Sequence, residues 1–276
     1  MRVMVTGAGG LVGRALSAAL SLGRGWPEGP GEGPSVTALT HSDLDITNRG
    51  AVSTMLRELR PDLVVNCAVI GVDECELNPA LARAVNVDGP ANLAEHAPAV
   101  VHFSSNYVFS GTEEKFYSID DDPQPINEYG RTKLAGERAV MRLCKKSYIV
   151  RSSWIFGEGK DSFISTVHRR LRAGQRVRAV SDVWASTTFI DDLVRRVAEI
   201  VDSNAYGMHH VVNAGVCSNE SFAREAARIV GADEKLIEAD STRRIHRAPR
   251  PRYTPLLALP PLRDWREALR SYIESA

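Results

Sequence analysis

Cysteine is scarce in this chain and follows no pattern. The 276 residues hold four, Cys67, Cys75, Cys144 and Cys217. None stand at the short intervals that a thiolate metal site or a C-x-x-C redox pair needs. No disulfide frame is expected, and a reducing compartment, the cytoplasm, is. Long apolar runs are missing too: the opening MRVMVTGAGG is broken by glycine too early for a signal peptide or a membrane span. The third absence is excess charge. Lys plus Arg and Asp plus Glu both number 34, so no field of one sign draws the chain to nucleic acid or to an anionic membrane. The basic run RRIHRAPRPR, residues 243–252, is a local exception. It reads equally as a grip for phosphate, with Arg250 its best member, or as a solvated loop. His209 and His210 would face opposite sides of a strand and could not share an ion, so no metal is expected.

What is present is an alternation. RVMVTG, SVTALT, DLVVNCAV, AVVHFSS and SYIVRSS read as strands. Between them LVGRALSAALSL, RGAVSTMLREL, NPALARAVNVDGPANLAEHA and EYGRTKLAGERAVMRLC read as helices. Short strands apolar on both faces, separated by helices, imply a doubly wound parallel sheet of the α/β class, covered on each side. The Gly/Pro-rich segment 23–34, GRGWPEGPGEGP, is expected as a surface loop before the second strand. Beyond about Ser152 the pattern loosens. The strand-like HHVVNAG and the helices DDLVRRVAEIVD and ESFAREAARIVG suggest a smaller region on the carboxyl ends of the first-half strands, where ligands sit in open α/β sheets.

The first strand runs into GAGGLVG, which places Gly7, Gly10 and Gly13 at G-x-x-G-x-x-G just before a helix. Such glycines give a tight turn, close backbone approach to a pyrophosphate and close helix–strand packing, and the helix N-terminus then faces the phosphates. Dinucleotide binding by residues 1–151 is therefore expected, with residues 152–276 mainly binding substrate and packed as one unit with the first region. At the end of the second strand stand Thr40, His41 and Ser42, with no carboxylate before Asp43. Nothing there repels a 2′-phosphate and no arginine clamps one, so NADPH is favoured, with NADH as the alternative.

A catalytic set can be read from two stretches. VVHFSSNYVFSGT puts Ser104 and Ser105 at the end of a strand, and NEYGRTKLAG puts Tyr129 and Lys133 one turn apart on a helix face. A plain helix-surface pair is the competing reading. As a set, the tyrosine hydroxyl would give a proton to a carbonyl, the lysine would lower the tyrosine's pKa and the serine would polarise the same oxygen. Hydride would have to come from a nicotinamide, because side chains cannot supply it.

With these residues in place, the sequence resembles the extended short-chain dehydrogenase/reductase superfamily, and within it the dTDP-4-dehydrorhamnose reductase family. The carriers run the length of the chain: GAGGLVG, LDIT, RPDLVVNCA, VDECE, AVNVDGPANLA, HFSSNYVFSGT, PINEYGRTKLAGE and RSSWIFG. The resemblance implies a Rossmann-type fold and NADPH-dependent reduction of the 4-keto group of a nucleotide-activated 6-deoxysugar. It implies that Gly10, Leu11 and Val12 line the pyrophosphate and that Asp45 and Ile46 lie by the adenine. Ala68, Val69 and Ile70 would pass the ribose region, with Phe103 behind the nicotinamide. Tyr129 would be the proton donor, Lys133 its partner and a holder of the nicotinamide ribose, and Ser105 would stand where the family usually has threonine. Asn106, Tyr107 and Trp154 match positions that contact the sugar nucleotide, and a homodimer is compatible with the resemblance.

The chain departs from the family pattern around the substrate. SSNY replaces Ser-Thr-Asp-Tyr, so Asn106 removes a charge beside the sugar. Val183 and Thr187 stand where the family tends to glutamine and proline, while Asp182, Arg250, Pro251 and Leu256 are kept. Altered substrate rather than lost activity is the expectation. The rivals are a sugar-nucleotide epimerase or dehydratase, and a non-catalytic NADP-binding subunit resembling the regulatory subunit of methionine adenosyltransferase.

Overall fold

Strands with no polar alternation can only be buried on both faces. Among the described residues, six of them form one parallel sheet. They are β1 (Arg2–Thr6), β2 (Ser35–Leu39), β3 (Leu63–Asn66), β4 (Val100–Ser105), β5 (Ser147–Ser152) and β6 (Gly207–His210). The computed structural model describes residues 1–22 and 34–275. The Gly/Pro-rich stretch expected as a surface loop lies, but for Pro34, outside the described residues. Every residue of β3, β4 and β5 is buried.

The strand order is β6-β5-β4-β3-β1-β2. It reverses at β1, which pairs with β2 on one side and β3 on the other. A Rossmann-type doubly wound sheet of this kind opens its ligand crevice at that switch, outside the carboxyl ends of the strands.

Alternate residues feed two cores. On one face Val3, Val5, Val65, Val101 and Phe103 meet Leu16 and Leu20 of α1 (Leu11–Ser21) and Leu193 and Val197 of a long C-terminal helix, Ile190–Asp202. On the other face Met4, Val64, Val100 and Ile149 meet Val52 and Leu56 of α2 (Arg49–Leu59), Leu93 of α3 (Gly89–His96) and Val140 of α4 (Glu128–Leu143). The first core continues without a break into Phe156, Phe189, Phe222, Trp265 and Tyr272 of the second half. No helix of the described residues is long and apolar enough to cross a membrane.

Two local expectations change. The helix expected over NPALARAVNVDGPANLAEHA is interrupted by a π-turn at Ala84–Asp88. Pro90 lacks the N–H that the Asn86 carbonyl would accept in an α-helix, and that carbonyl instead lies so near Gly136 of α4 that a Cβ there would meet it at 2.3 Å. The strand expected at HHVVNAG begins earlier, at Gly207, and ends at His210 on the edge of the main sheet beside β5. It stops before Asn213, whose carboxamide turns inward to accept from the Phe189 amide at 2.7 Å and donate to Asp192 at 2.8 Å.

Candidate active site

The turn after β1 is shaped by what a side chain would strike. Gly7 has φ +66°, and a Cβ on it would lie 2.5 Å from the Ala68 amide nitrogen, at the end of β3. A Cβ on Gly13 would lie 2.4 Å from the Gly7 carbonyl, so α1 can press onto the turn only with glycine there. Gly9 and Gly10 stay exposed, and Gly10 caps α1 with no side chain over the helix amides. Leu11 and Val12, half-buried, open the helix. A pyrophosphate fits this bare, amide-lined end at the switch point. Arg14 holds the turn from outside, donating to the carbonyls of Gly9 and Gly159.

Around the remaining crevice the predicted cofactor residues divide. Val69 is exposed and Ala68 half-buried, while Ile70 is buried with its amide donated to Asn86 Oδ1 at 3.2 Å. Phe103 is in the core behind β4. Asp45 is engaged locally: its carboxylate accepts the Thr47 amide at 2.9 Å and hydroxyl at 2.8 Å, and these bonds hold it below the usual carboxylate range. Ile46 is buried in the core over α2, close to Gly89. Asp43 likewise turns back on Thr40, whose amide and hydroxyl it accepts at 2.8 and 2.6 Å.

The three residues singled out for chemistry converge where β4 ends against α4. Asn127 starts this helix, accepting the Gly130 amide at 2.7 Å and donating to the Pro249 carbonyl at 2.8 Å. Gly130 and Gly136 let the helix lie close: a Cβ on Gly130 would be 2.1 Å from the Tyr107 carbonyl. The Tyr129 ring packs against Ile70, Cys75 and Ala82 and meets Tyr107 edge-on, centroids 6.0 Å apart. Burial pushes the Tyr129 hydroxyl up to about 12, with the nearby Ser105 hydroxyl pushing the other way. Ser105 Oγ also accepts the Tyr107 amide at 3.2 Å and donates to Asn106 Oδ1 at 3.1 Å.

Lys133 is almost wholly buried, and burial brings its amine down to about 8, with Glu137 pushing the other way. Its Nζ lies 3.5 Å from His102 Nε2. The expected lowering of the tyrosine by the lysine is therefore not what this geometry gives. The lysine is turned towards β4, and the tyrosine is held protonated by burial. A tyrosine in that state holds its proton, and the raised pKa makes it a weaker acid until a positive charge stabilises the tyrosinate.

Beyond Tyr129 opens a cleft of about 230 Å³, lined by Tyr107, Trp154, Lys160, Phe163, Val183 and Arg250 among others. Tyr107 is buried, and burial raises its hydroxyl, with Arg250 and then Trp154 pushing the other way. Trp154 stands at φ +37°, a conformation that a bulky residue adopts only where its surroundings enforce it. Two predicted substrate contacts prove to be engaged elsewhere. Asn106 is buried and donates to Thr254 Oγ1 at 2.8 Å. Arg250 donates to Asp73 Oδ2 at 2.8 Å and to the Ala248 carbonyl at 3.2 Å, so it lines the cleft as a paired cation.

Sequence reasoning passed over the residues that hold this set in place. Asn86 joins the crevice loop to α4, accepting the Ile70 amide and donating to Thr132 Oγ1 at 3.1 Å. Asp73 accepts the amides of Arg247 and Ala248 at 3.1 and 2.8 Å. Burial raises its carboxyl, but the Ala248 amide and the Arg250 guanidinium together hold it below the usual range. Asn66 and His102 face each other across β3 and β4 at 3.2 Å. Their signal was Asn66 closing an otherwise apolar β3 and His102 within the apolar run of β4, where a buried polar group needs a partner.

Comparison with known proteins comes to bear on this geometry. The RmlD substrate binding domain family matches residues 1–276. A dTDP-4-dehydrorhamnose reductase of Mycolicibacterium smegmatis is 41% identical over 99% of this chain and 85% of its own. The crystal structure of a dTDP-4-dehydrorhamnose reductase from Clostridium acetobutylicum superposes with a TM-score of 0.89 at 34% identity, covering 100% of this chain and 99% of that one. One from Bacillus anthracis, solved in complex with NADP, gives 0.90 at 29% identity with the same coverage.

Proposed function

The chain belongs to the RmlD substrate binding domain family, and on that footing we propose that it is an NADPH-dependent reductase of the 4-keto group of a nucleotide-activated 6-deoxysugar. The observation that carries the reading is the Tyr129 hydroxyl. Burial raises its pKa and the Ser105 hydroxyl beside it lowers it, where β4 ends beside the switch point that the glycine turn occupies. Its relatives named dTDP-4-dehydrorhamnose reductase supply the substrate class, and the NADP complex of the Bacillus anthracis protein supplies the cofactor.

On this reading Gly7, Gly10, Leu11, Val12 and Gly13 hold the pyrophosphate, and Ala68, Val69 and Ile70 border the ribose. When bound, the coenzyme supplies hydride to the keto carbon. Tyr129 gives its proton to the developing alkoxide, and Ser105 turns its hydroxyl from Asn106 to the same oxygen. Lys133 stabilises the tyrosinate left behind once it carries its positive charge. Residues 152–276 mainly shape the substrate side through Trp154 and Arg250, with Tyr107 reaching in from the first half. The enzyme acts in the cytoplasm on a soluble sugar nucleotide, with no nucleic acid or membrane involved, and a homodimer is compatible with the reading.

The test is NADPH oxidation with a panel of dTDP-4-keto-6-deoxysugars. Turnover is expected, and Tyr129→Phe should lower kcat by about 10²–10⁴-fold while coenzyme binding persists. No turnover with any member, or full turnover by the Phe variant, would overturn the reading.

A further inference from the structure

The hydrogen bonds running into the core beneath Lys133 fix where one proton sits. The Ala68 amide and the Thr6 hydroxyl both donate to Asn66 Oδ1, at 3.2 and 2.8 Å. A backbone N–H can only donate, so that atom is the carboxamide oxygen, and the NH₂ faces His102 Nδ1 at 3.2 Å. The NH₂ also can only donate, so Nδ1 must be bare. His102 is fully buried, and burial keeps the ring neutral. Its one proton is then on Nε2, which lies 3.5 Å from Lys133 Nζ. An ammonium there would set N–H against N–H. A neutral amine would offer its lone pair.

The other groups around the amine do not restore the ammonium. Tyr129 and Glu137 flank it on α4, Cys67 follows β3, and Cys75 lies on the short helix Val72–Leu77. Burial raises both thiols, so they carry no charge at neutral pH. Glu137 is bound on both oxygens by Arg151 of β5, at 2.8 and 2.7 Å.

We propose that His102 is a positioning residue acting through Lys133: as the Nε2–H tautomer set by Asn66, it donates to the neutral amine and opposes the ammonium. The lysine therefore holds its charge more readily on turning away from His102 towards the Tyr129 end of the helix. This last clause rests on the reductase reading; the tautomer and its effect on the amine do not.

Long-range ¹H–¹⁵N correlation spectra of protein labelled at its seven histidines read the tautomer directly, with His102 assigned by its loss in His102→Gln. A protonated Nε2 and a bare Nδ1 near neutral pH are expected. An Nδ1–H tautomer or an imidazolium overturns the proposal, whatever the variant does. The Lys133 midpoint, followed through ¹³C-labelled lysine ε-carbons and assigned with Lys133→Met, gives the second arm. In His102→Gln the carboxamide is free to offer its oxygen to the ammonium, and the midpoint should rise by about one pH unit or more, a tenfold change in charged fraction. An unchanged or lower midpoint refutes the coupling. Both arms are read on the chain without substrate, so they stand or fall apart from the turnover assay. In that assay the pH profile of kcat in His102→Gln should move with the lysine midpoint, whereas a packing loss would lower kcat evenly across pH.

Discussion

Gly130→Ala tests whether α4 is placed by contact or by its own helical preference. Alanine is the better helix former by up to about 1 kcal/mol, so on local grounds the change should stabilise. The structure says the reverse. The added Cβ would lie 2.1 Å from the Tyr107 carbonyl oxygen and 2.9 Å from Pro125 Cβ. That carbonyl belongs to a turn pinned through the Tyr107 amide to Ser105 Oγ, so the first turn of α4 must retreat by about 1 Å to reach ordinary contact. Overpacking of this kind costs about 2 kcal/mol at mid-range; less a helical gain of up to about 1 kcal/mol, the net loss is about 1–2 kcal/mol. For a chain of this size that lowers Tm by roughly 2–4 °C. Tyr129 is the adjacent residue and moves with the turn, and a displacement of that size at a reacting group costs on the order of 10²-fold in kcat. Differential scanning calorimetry and NADPH oxidation measure both. Gly50→Ala in α2 is the matched control: Gly50 is exposed, and its Cβ would meet nothing nearer than Asn48 Oδ1 at 3.5 Å, so Tm should hold or rise. A Gly130→Ala protein with full kcat and a Tm at or above that of the parent would refute the contact argument.

Two further outcomes follow from the buried charges. Glu137→Gln strips the anion from a pair whose two side chains are 1% and 3% exposed and strands the Arg151 guanidinium, at a cost of about 3–5 kcal/mol; urea denaturation showing a loss under about 1 kcal/mol would contradict that burial. Lys133 sits at about 8 in the fold against 10.5 when free. Between those values the unfolded chain binds the extra proton, so this residue makes the fold more stable as pH rises through the window and weighs against it fully below about 8. Lys133→Met should thus be more stable than the parent near neutral pH, by up to ~3 kcal/mol, and lose that advantage towards pH 10.5. A stability difference that stays constant over the range, in denaturation curves at each pH, would sink the assignment.

The parts of the fold that could be read in the sequence are those whose cause is local. Gly7 answers to a positive φ and a near contact, and β3, β4 and β5 answer to runs without polar alternation. The π-turn before α3 had a local sign as well, in Pro90, but its other half is the approach of Gly136 from a different helix. The local bonding of Asp45 also had an adjacent signal: Asp-Ile-Thr is an aspartate two residues before a hydroxyl, and such a carboxylate accepts within its own turn. That β6 closes the sheet edge could not be foreseen, because its strand partner β5 lies far back in the chain.

In the site the spacing of Tyr129 and Lys133 guaranteed a shared helix face, but not what each group would meet there. The lysine's direction is decided by His102, 31 residues away, and the fate of Arg250 by Asp73, 177 residues away. Asn106 matches a family position that contacts the sugar nucleotide, and what the sequence did not show is that Thr254, on a distant strand, takes its amide. These distant partners have a common effect. Glu137 is neutralised by Arg151 and Asp73 by Arg250, while burial keeps His102, Cys67 and Cys75 uncharged. With those charges paired or suppressed, Lys133 is the member of this set left to change state near neutral pH, which is why the chemistry proposed for Tyr129 is tied to where that amine points.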